Sequence, residues 1–241
     1  MGLAGKRVLV TGAARRVGRA LALASARAGA DVVLHFGSSS QEAESTRAEI
    51  ESLGRKAFLV QADLADPGQV SSLISRAQVD GPLFALVNSA AVFETLNWET
   101  TTLEDWNRHL MINLTAPFLL SQAFARSLGS GDLGRIINLL DWRALRPGPD
   151  HLPYTISKSA LAALTRSLAV ALAPRLTVNG LALGAVLPPI DGAAVPGILD
   201  QIPAHRWADL EEVEAALIFL LEGPAYVTGE VLHVDGGRHL V

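Results

Sequence analysis

The sequence predicts an α/β fold: a single Rossmann-type domain, 1–241, built on a doubly wound parallel sheet of about seven strands with helices on both faces. Three observations carry this expectation. Short β-branched runs alternate with longer helical patterns along the chain. The strand runs are apolar nearly throughout, as in parallel strands covered on both faces. Right-handed crossovers between such strands then wrap helices around both sides of the sheet.

In chain order, the strand candidates are Arg7–Gly12, Asp31–Phe36, Lys56–Asp63, Pro82–Asn88, Gly134–Leu140 and Arg175–Leu183. Glu230–Gly237 (EVLHVDGG) reads as a seventh strand ending in a glycine turn. Helical patterns fill the gaps, as at Gly18–Gly29, Ser40–Gly54 and Pro67–Gln78. Only Gly184–Leu210 is irregular, and it holds four prolines. A loop of that length in a compact domain is usually a lid or a substrate wall. No internal repeat or low-complexity linker divides the chain.

Composition narrows the function classes. Of 241 residues 49% are apolar, enough for a sizeable core, and the net charge is −4. The basic residues are scattered, so neither nucleic acid nor an anionic membrane is expected as a partner. With no cysteine, disulfides and thiolate chemistry are excluded. The N-terminus, MGLAGKRVLVTG, is a poor signal peptide. No apolar stretch reaches the roughly 18 to 20 residues that span a bilayer. A cytoplasmic protein is expected.

The first strand runs into TGAARRVGRALALASARAGA. Gly12 and Gly18 permit a tight turn and close backbone approach, and the helix that follows presents unpaired N–H groups with a positive dipole end. This strand–turn–helix context reads as a dinucleotide phosphate site, with Arg15, Arg16 and Val17 in the turn. Enzymes that prefer NAD place an acid near the end of the second strand for the ribose 2′-hydroxyl. From Val32 to Gln41 there is none. A 2′-phosphate would meet no repulsion there, and Ser38, Ser39 and His35 are candidate donors to it. NADP(H) is the expected cofactor, although no arginine in this stretch seals the preference.

Tyr154 and Lys158 stand at i and i+4, on one face of the helix opened by YTISK. An ordinary tyrosine, with a pKa near 10, is a poor acid at neutral pH, and a nearby ammonium would bring the phenol into range. Asn88 and Asn113 are polar residues in apolar surroundings. The six histidines lack metal-ligand spacing and read as structural or surface residues, with no metal site expected.

With these residues in view, the sequence resembles the short-chain dehydrogenase/reductase family over almost its whole length. The resemblance rests on TGAARRVG, QADLAD, LVNSAA, INL, YTISK, VNGLALG and GEVLHVDGG. It implies that Tyr154 is the proton donor, that Lys158 lowers its pKa and holds the nicotinamide ribose, and that Asn113 anchors a proton-relay water. It further implies that Asp63 and Leu64 flank the adenine, and that Asn88 and Ala90 line the cofactor cleft.

Two departures sharpen the reading. The family's usual serine about thirteen residues before the tyrosine is Asp141 here, and the second glycine of its TGxxxGxG turn is Arg16. Together with Phe93, placed to stack over a flat ring, these resemble pteridine and dihydromonapterin reductases. The expected function is hydride transfer from NADPH to a dihydropterin C=N carbon. Tyr154 would act as acid with Asp141 as its partner, and Arg16 and Phe93 would hold the substrate. A ketone or 3-oxoacyl thioester reductase is the alternative, disfavoured because a carboxylate at Asp141 repels a developing alkoxide. A nucleotide-sensing protein without turnover is a further one, disfavoured by the intact Tyr154–Lys158 pair. The apolar helix 160–173 and the last strand resemble surfaces through which the family forms homotetramers.

Overall fold

The computed structural model describes residues 2–187 and 197–241. Seven strands form one parallel sheet: β1 (Arg7–Val10), β2 (Asp31–Phe36), β3 (Ala57–Gln61), β4 (Ala85–Asn88), β5 (Gly134–Asp141), β6 (Leu176–Leu183) and β7 (Val231–Val234). Their order across the sheet is β3-β2-β1-β4-β5-β6-β7. Seven α-helices cover it: α1 (Arg16–Arg27), α2 (Ser40–Ser52), α3 (Pro67–Ala77), α4 (Leu103–Leu110), α5 (Ala116–Ser127), α6 (Leu152–Leu172) and α7 (Leu210–Glu222).

The two-residue period of the strands divides the interior into two cores. Val8, Val10, Val32 and Leu34 pack on one face with Leu21 of α1, Ile50 of α2 and Val213 of α7. Leu9, Val33 and Ile136 turn to the opposite face, against Leu73 of α3, Phe124 of α5 and Ala169 of α6. Because both faces are covered, the strand runs are apolar throughout, and the sheet class was legible for that reason. Strand order reverses between β1 and β4, which opens a crevice at their carboxyl ends.

Strand ends differ from the sequence reading where backbone geometry decides. β1 stops at Val10 because Gly12 takes a φ of +66°. β4 begins at Ala85, after Pro82, which has no N–H to give a ladder. β5 runs one residue further than expected, to Asp141, which pairs in register with Leu183. Of the irregular segment 184–210, expected to be a lid or a substrate wall, residues 188–196 lie outside the described residues. Among the described residues, no helix is long and apolar enough to cross a membrane.

Candidate active site

Four elements converge at the carboxyl edge of the sheet. β5 ends on Asp141, α6 begins two residues before Tyr154, β4 leads to Phe93, and a single π-helical turn at Met111–Thr115 carries Asn113. Isolated π-turns within α-helical runs are frequent at functional sites. Here the wider turn puts Asn113 fully inside the protein. Its Oδ1 accepts from the Val92 N–H at 2.9 Å, and its Nδ2 donates to Val92 O and to Ser157 Oγ, both at 3.0 Å. Asn113 therefore clamps the chain after β4 onto α6.

The Tyr154 hydroxyl donates to Asp141 Oδ2 at 3.1 Å. The other carboxylate oxygen, Oδ1, accepts from the Arg143 N–H at 2.9 Å, capping the 3-10 turn Trp142–Ala144. Asp141 is thus a cap and a partner of the phenol at once. The Arg143 guanidinium lies 3.7 Å from Asp141 and holds Asp150 at 2.8 Å. Burial raises the Asp141 pKa above the usual carboxylate value, against the opposing pull of the Arg143 N–H and charge.

Lys158 follows Tyr154 by one helical turn as expected, but the phenol's pKa is raised and not lowered. Its Nζ donates to Leu139 O at 2.6 Å and sits 5.7 Å from the Tyr154 ring centroid. Tyr154, only 7% exposed, is pushed well above its ordinary pKa, first by burial and then by the adjacent Asp141 carboxylate. Burial is the larger cause and the aspartate adds to it, since a negative neighbour opposes a phenolate where a serine would not. Both effects favour the protonated phenol.

Lys158 is 3% exposed, and burial brings its pKa down to about 8. Between that value and the ordinary 10.5 the unfolded chain holds one proton more than the folded one, so stability rises with pH across that window. Lys158→Met, which cannot titrate, is expected to abolish turnover yet raise folding stability at pH 7 by about 1 to 2 kcal/mol. This is the burial cost at about 1.4 kcal/mol per pH unit, less the hydrogen bond lost at Leu139 O. Urea midpoints at pH 7 and pH 9.5 test it: the advantage of the methionine should shrink at the higher pH, and an equal gap at both would refute the burial cost.

Phe93 is 54% exposed at the mouth of the site. Its ring stacks on His151 at 4.1 Å and meets Tyr154 edge-on at 4.6 Å, with the Arg143 guanidinium 5.9 Å away. His151, which sequence reasoning set aside as structural, is held here by a left-handed backbone and a hydrogen bond from Nδ1 to Glu94 O at 2.8 Å. Arg143 was missed as well, although its place two residues after Asp141 was a usable signal. On the far side, Arg238 from the C-terminal turn lies over Trp142 at 4.1 Å and donates to Gln201 at 2.9 Å.

At the glycine turn, a Cβ on Gly18 would lie 2.1 Å from Gly12 O, and one on Gly12 would lie 2.9 Å from Ala90 Cα. Thr11 Oγ1 accepts from the N–H groups of Ser89 and Ala90 at 2.9 and 3.1 Å, tying β4 to this turn. Arg16 occupies the second-glycine position at a φ of +52°. That conformation costs a non-glycine residue about 1 kcal/mol, the kind of strain that collects at functional sites. Arg16 Nη2 donates to Leu187 O at 3.5 Å, which carries the side chain towards the loop after β6. Arg15 pairs with Glu42 at 3.7 Å, and Val17 packs on the core. The start of α1 has neither a side-chain cap nor an acid in its first turn, so its first N–H groups suit a phosphate.

Two expected cofactor contacts are corrected. His35 is 2% exposed, with Nδ1 accepting from the Gly12 N–H at 3.2 Å and Nε2 against Ala62 O at 3.1 Å. Both nitrogens are engaged, and burial lowers its pKa to about 4, so it is a neutral strut beneath the turn with no donor for a 2′-phosphate. The Asn88 side chain points into the interior instead of lining the cleft. Its Nδ2 donates to Asn138 Oδ1 at 2.8 Å, and Asn138 donates on to Thr165 at 2.9 Å. Ser38 and Asp63 do line one cleft at the ends of β2 and β3, while Ser39 stands at the N-cap of α2 and Leu64 is buried in the core.

Comparison with known proteins matches residues 12–239 to the family described as enoyl-(acyl carrier protein) reductase. A 3-oxoacyl-[acyl-carrier-protein] reductase of Synechocystis sp. is 35% identical, with 95% of each chain covered. The crystal structure of FolM alternative dihydrofolate reductase 1 from Brucella canis, complexed with NADP, superposes with a TM-score of 0.91 at 34% identity, covering 100% of this chain and 97% of that one. A gluconate 5-dehydrogenase from Burkholderia cenocepacia, with NADP and tartrate, reaches a TM-score of 0.90 at 30% identity over 100% of this chain and 97% of that one.

Proposed function

The chain belongs to the short-chain dehydrogenase/reductase family, and from that premise we propose that it is an NADPH-dependent pteridine reductase. The observation that carries the proposal is the Tyr154 hydroxyl donating to the partly buried Asp141 carboxylate beside the exposed Phe93 ring. Similarity to FolM and to NADP-bound relatives supports it. The tight Gly12–Gly18 turn and the uncapped start of α1 fit a pyrophosphate, and the acid-free stretch Val32–Gln41 fits a 2′-phosphate.

Bound NADPH supplies the hydride. The chain's residues handle the proton. As the C=N carbon of a dihydropterin accepts the hydride, its π electrons move to the ring nitrogen, which takes the Tyr154 proton. Asp141, whose pKa burial raises, takes up a proton from solvent and returns it to the phenolate. Lys158, fixed on Leu139 O, places its positive charge beneath the ring during that step. Phe93 offers a flat apolar face to the bicycle, and Arg16 serves its polar edge.

A 3-oxoacyl thioester reductase is the second reading, favoured by the Synechocystis relative. NADPH oxidation at 340 nm, with a 7,8-dihydropterin, with a short 3-oxoacyl thioester and with neither, separates the two. Turnover with the pterin is expected, and turnover with the thioester alone would overturn the proposal. Assembly as a homotetramer is part of the same reading: Val170 on the outer face of α6 is 83% exposed and suits a second copy. Light scattering reads that assembly directly.

A further inference from the structure

A cleft of about 720 Å³ lies at the ends of β2 and β3, lined by Gly37, Ser38, Gln61, Asp63, Gln69 and Arg76. The first five come from the strand ends and the start of α3, while Arg76 comes from the last turn of α3. Nothing in the local sequence pattern at β2 announces it. Its charge is close enough to act on the buried His35 of β2.

Most polar groups of this cleft are already committed to its frame. Gln61 Nε2 donates to Gly37 O at 3.0 Å. Gln69 accepts from the Asp63 N–H at 2.9 Å and donates to Asp66 at 2.9 Å. Asp63 Oδ1 accepts from the Ala65 N–H at 2.8 Å, within its own turn. The Ser38 hydroxyl and the Arg76 guanidinium remain, and among the described residues neither makes a side-chain hydrogen bond or ion pair. The neighbouring Arg15 is paired with Glu42. An uncommitted guanidinium and an uncommitted hydroxyl share a cleft beside an acid-free strand end, and that donor set matches a phosphate monoester.

We propose that Arg76 is the residue that selects NADP(H) over NAD(H), by receiving the ribose 2′-phosphate together with the Ser38 hydroxyl. The inference rests on the cofactor half of the functional proposal and is independent of its pteridine half. Phosphate selection then comes from a helix across the cleft, where the second strand itself carries no arginine.

Calorimetric titration of the whole protein with 2′,5′-ADP, 5′-ADP, NADPH and NADH, no substrate present, tests it without turnover. The unaltered protein is expected to bind 2′,5′-ADP at least about tenfold more tightly, a typical effect of charge-assisted hydrogen bonds. Arg76→Ala should remove most of that difference and leave 5′-ADP and NADH within twofold. Arg76→Lys, which keeps the charge but loses the fork, should retain part of it and serves should the alanine variant be unstable. Equal binding of both nucleotides by the unaltered protein would overturn the inference. So would an Arg76→Ala variant that loses less than twofold for 2′,5′-ADP, or one that weakens NADH as much as NADPH. A protein inert towards pterins would still pass or fail this test, so the two proposals fail separately.

Discussion

Tyr154→Phe is expected to lower kcat for pteridine reduction by about 10²- to 10⁴-fold, the usual worth of a positioned general acid, while NADPH affinity by fluorescence titration changes little. The ring remains to pack against Phe93, and only the proton goes. Lys158 is directed at Leu139 O and Arg143 at Asp150, so neither takes the place of the phenol, and Asp141 hands its proton on through Tyr154. The same geometry fixes the sign of the pH dependence. Tyr154 lies well above its ordinary pKa, so it stays protonated across the neutral range and generates no limb of its own there. Asp141 is raised from the usual carboxylate value, and its protonated form resupplies the phenolate. Reduction should therefore accelerate as pH falls through the pair's shared titration and slow as pH rises, the two groups titrating as one coupled system. Rates of kcat/KM between pH 5 and 9 check this. A rate that climbs towards alkaline pH, or a phenylalanine variant within tenfold of the parent, would mean that the proton comes from elsewhere.

The family-level site was legible because its parts are close in sequence or obey a fixed period. Tyr154 and Lys158 are one helical turn apart, the glycine turn joins β1 to α1 directly, and Asp141 ends an apolar strand. What sequence pattern could not give depends on distances set by the sheet. His35 looked like a phosphate donor at a strand end, but the order β3-β2-β1 places Gly12 and Ala62 on either side of it, and both its nitrogens are taken. Asn88 looked like a cleft residue, but a partner amide on the next strand, Asn138, draws it inward. Arg76 was invisible for the converse reason: nothing near β2 in sequence encodes it, and only the packing of α3 brings it to the cleft that Ser38 also lines. The phenol's pKa was expected to fall and is raised instead, because burial and the adjacent Asp141 carboxylate outweigh a lysine held on Leu139 O.

Asp141→Ser is expected to cut pteridine turnover by about 100-fold or more and to raise turnover of a short 3-oxoacyl thioester by up to about 10³-fold from its initial level. The second figure follows from electrostatics. A carboxylate about 4 Å from a developing alkoxide costs roughly 4 kcal/mol at the effective dielectric of a protein site, about three powers of ten in rate. Arg143, 3.7 Å from Asp141, offsets part of that cost, so the gain is an upper figure. Serine removes the repulsion and offers a hydroxyl to the carbonyl oxygen. It also relieves Tyr154 of the neighbour that holds its pKa up, so the phenol should titrate lower in the variant, visible as an ultraviolet phenolate transition at lower pH. The first figure follows from loss of the group that returns the proton. The two activities moving in opposite directions distinguish a chemical role from a structural one, since a damaged fold would lower both. If pteridine turnover survives the change and the thioester gains nothing, Asp141 is only the cap of the Trp142–Ala144 turn, and the selectivity of the site must come from the Phe93–His151 stack and the loop after β6.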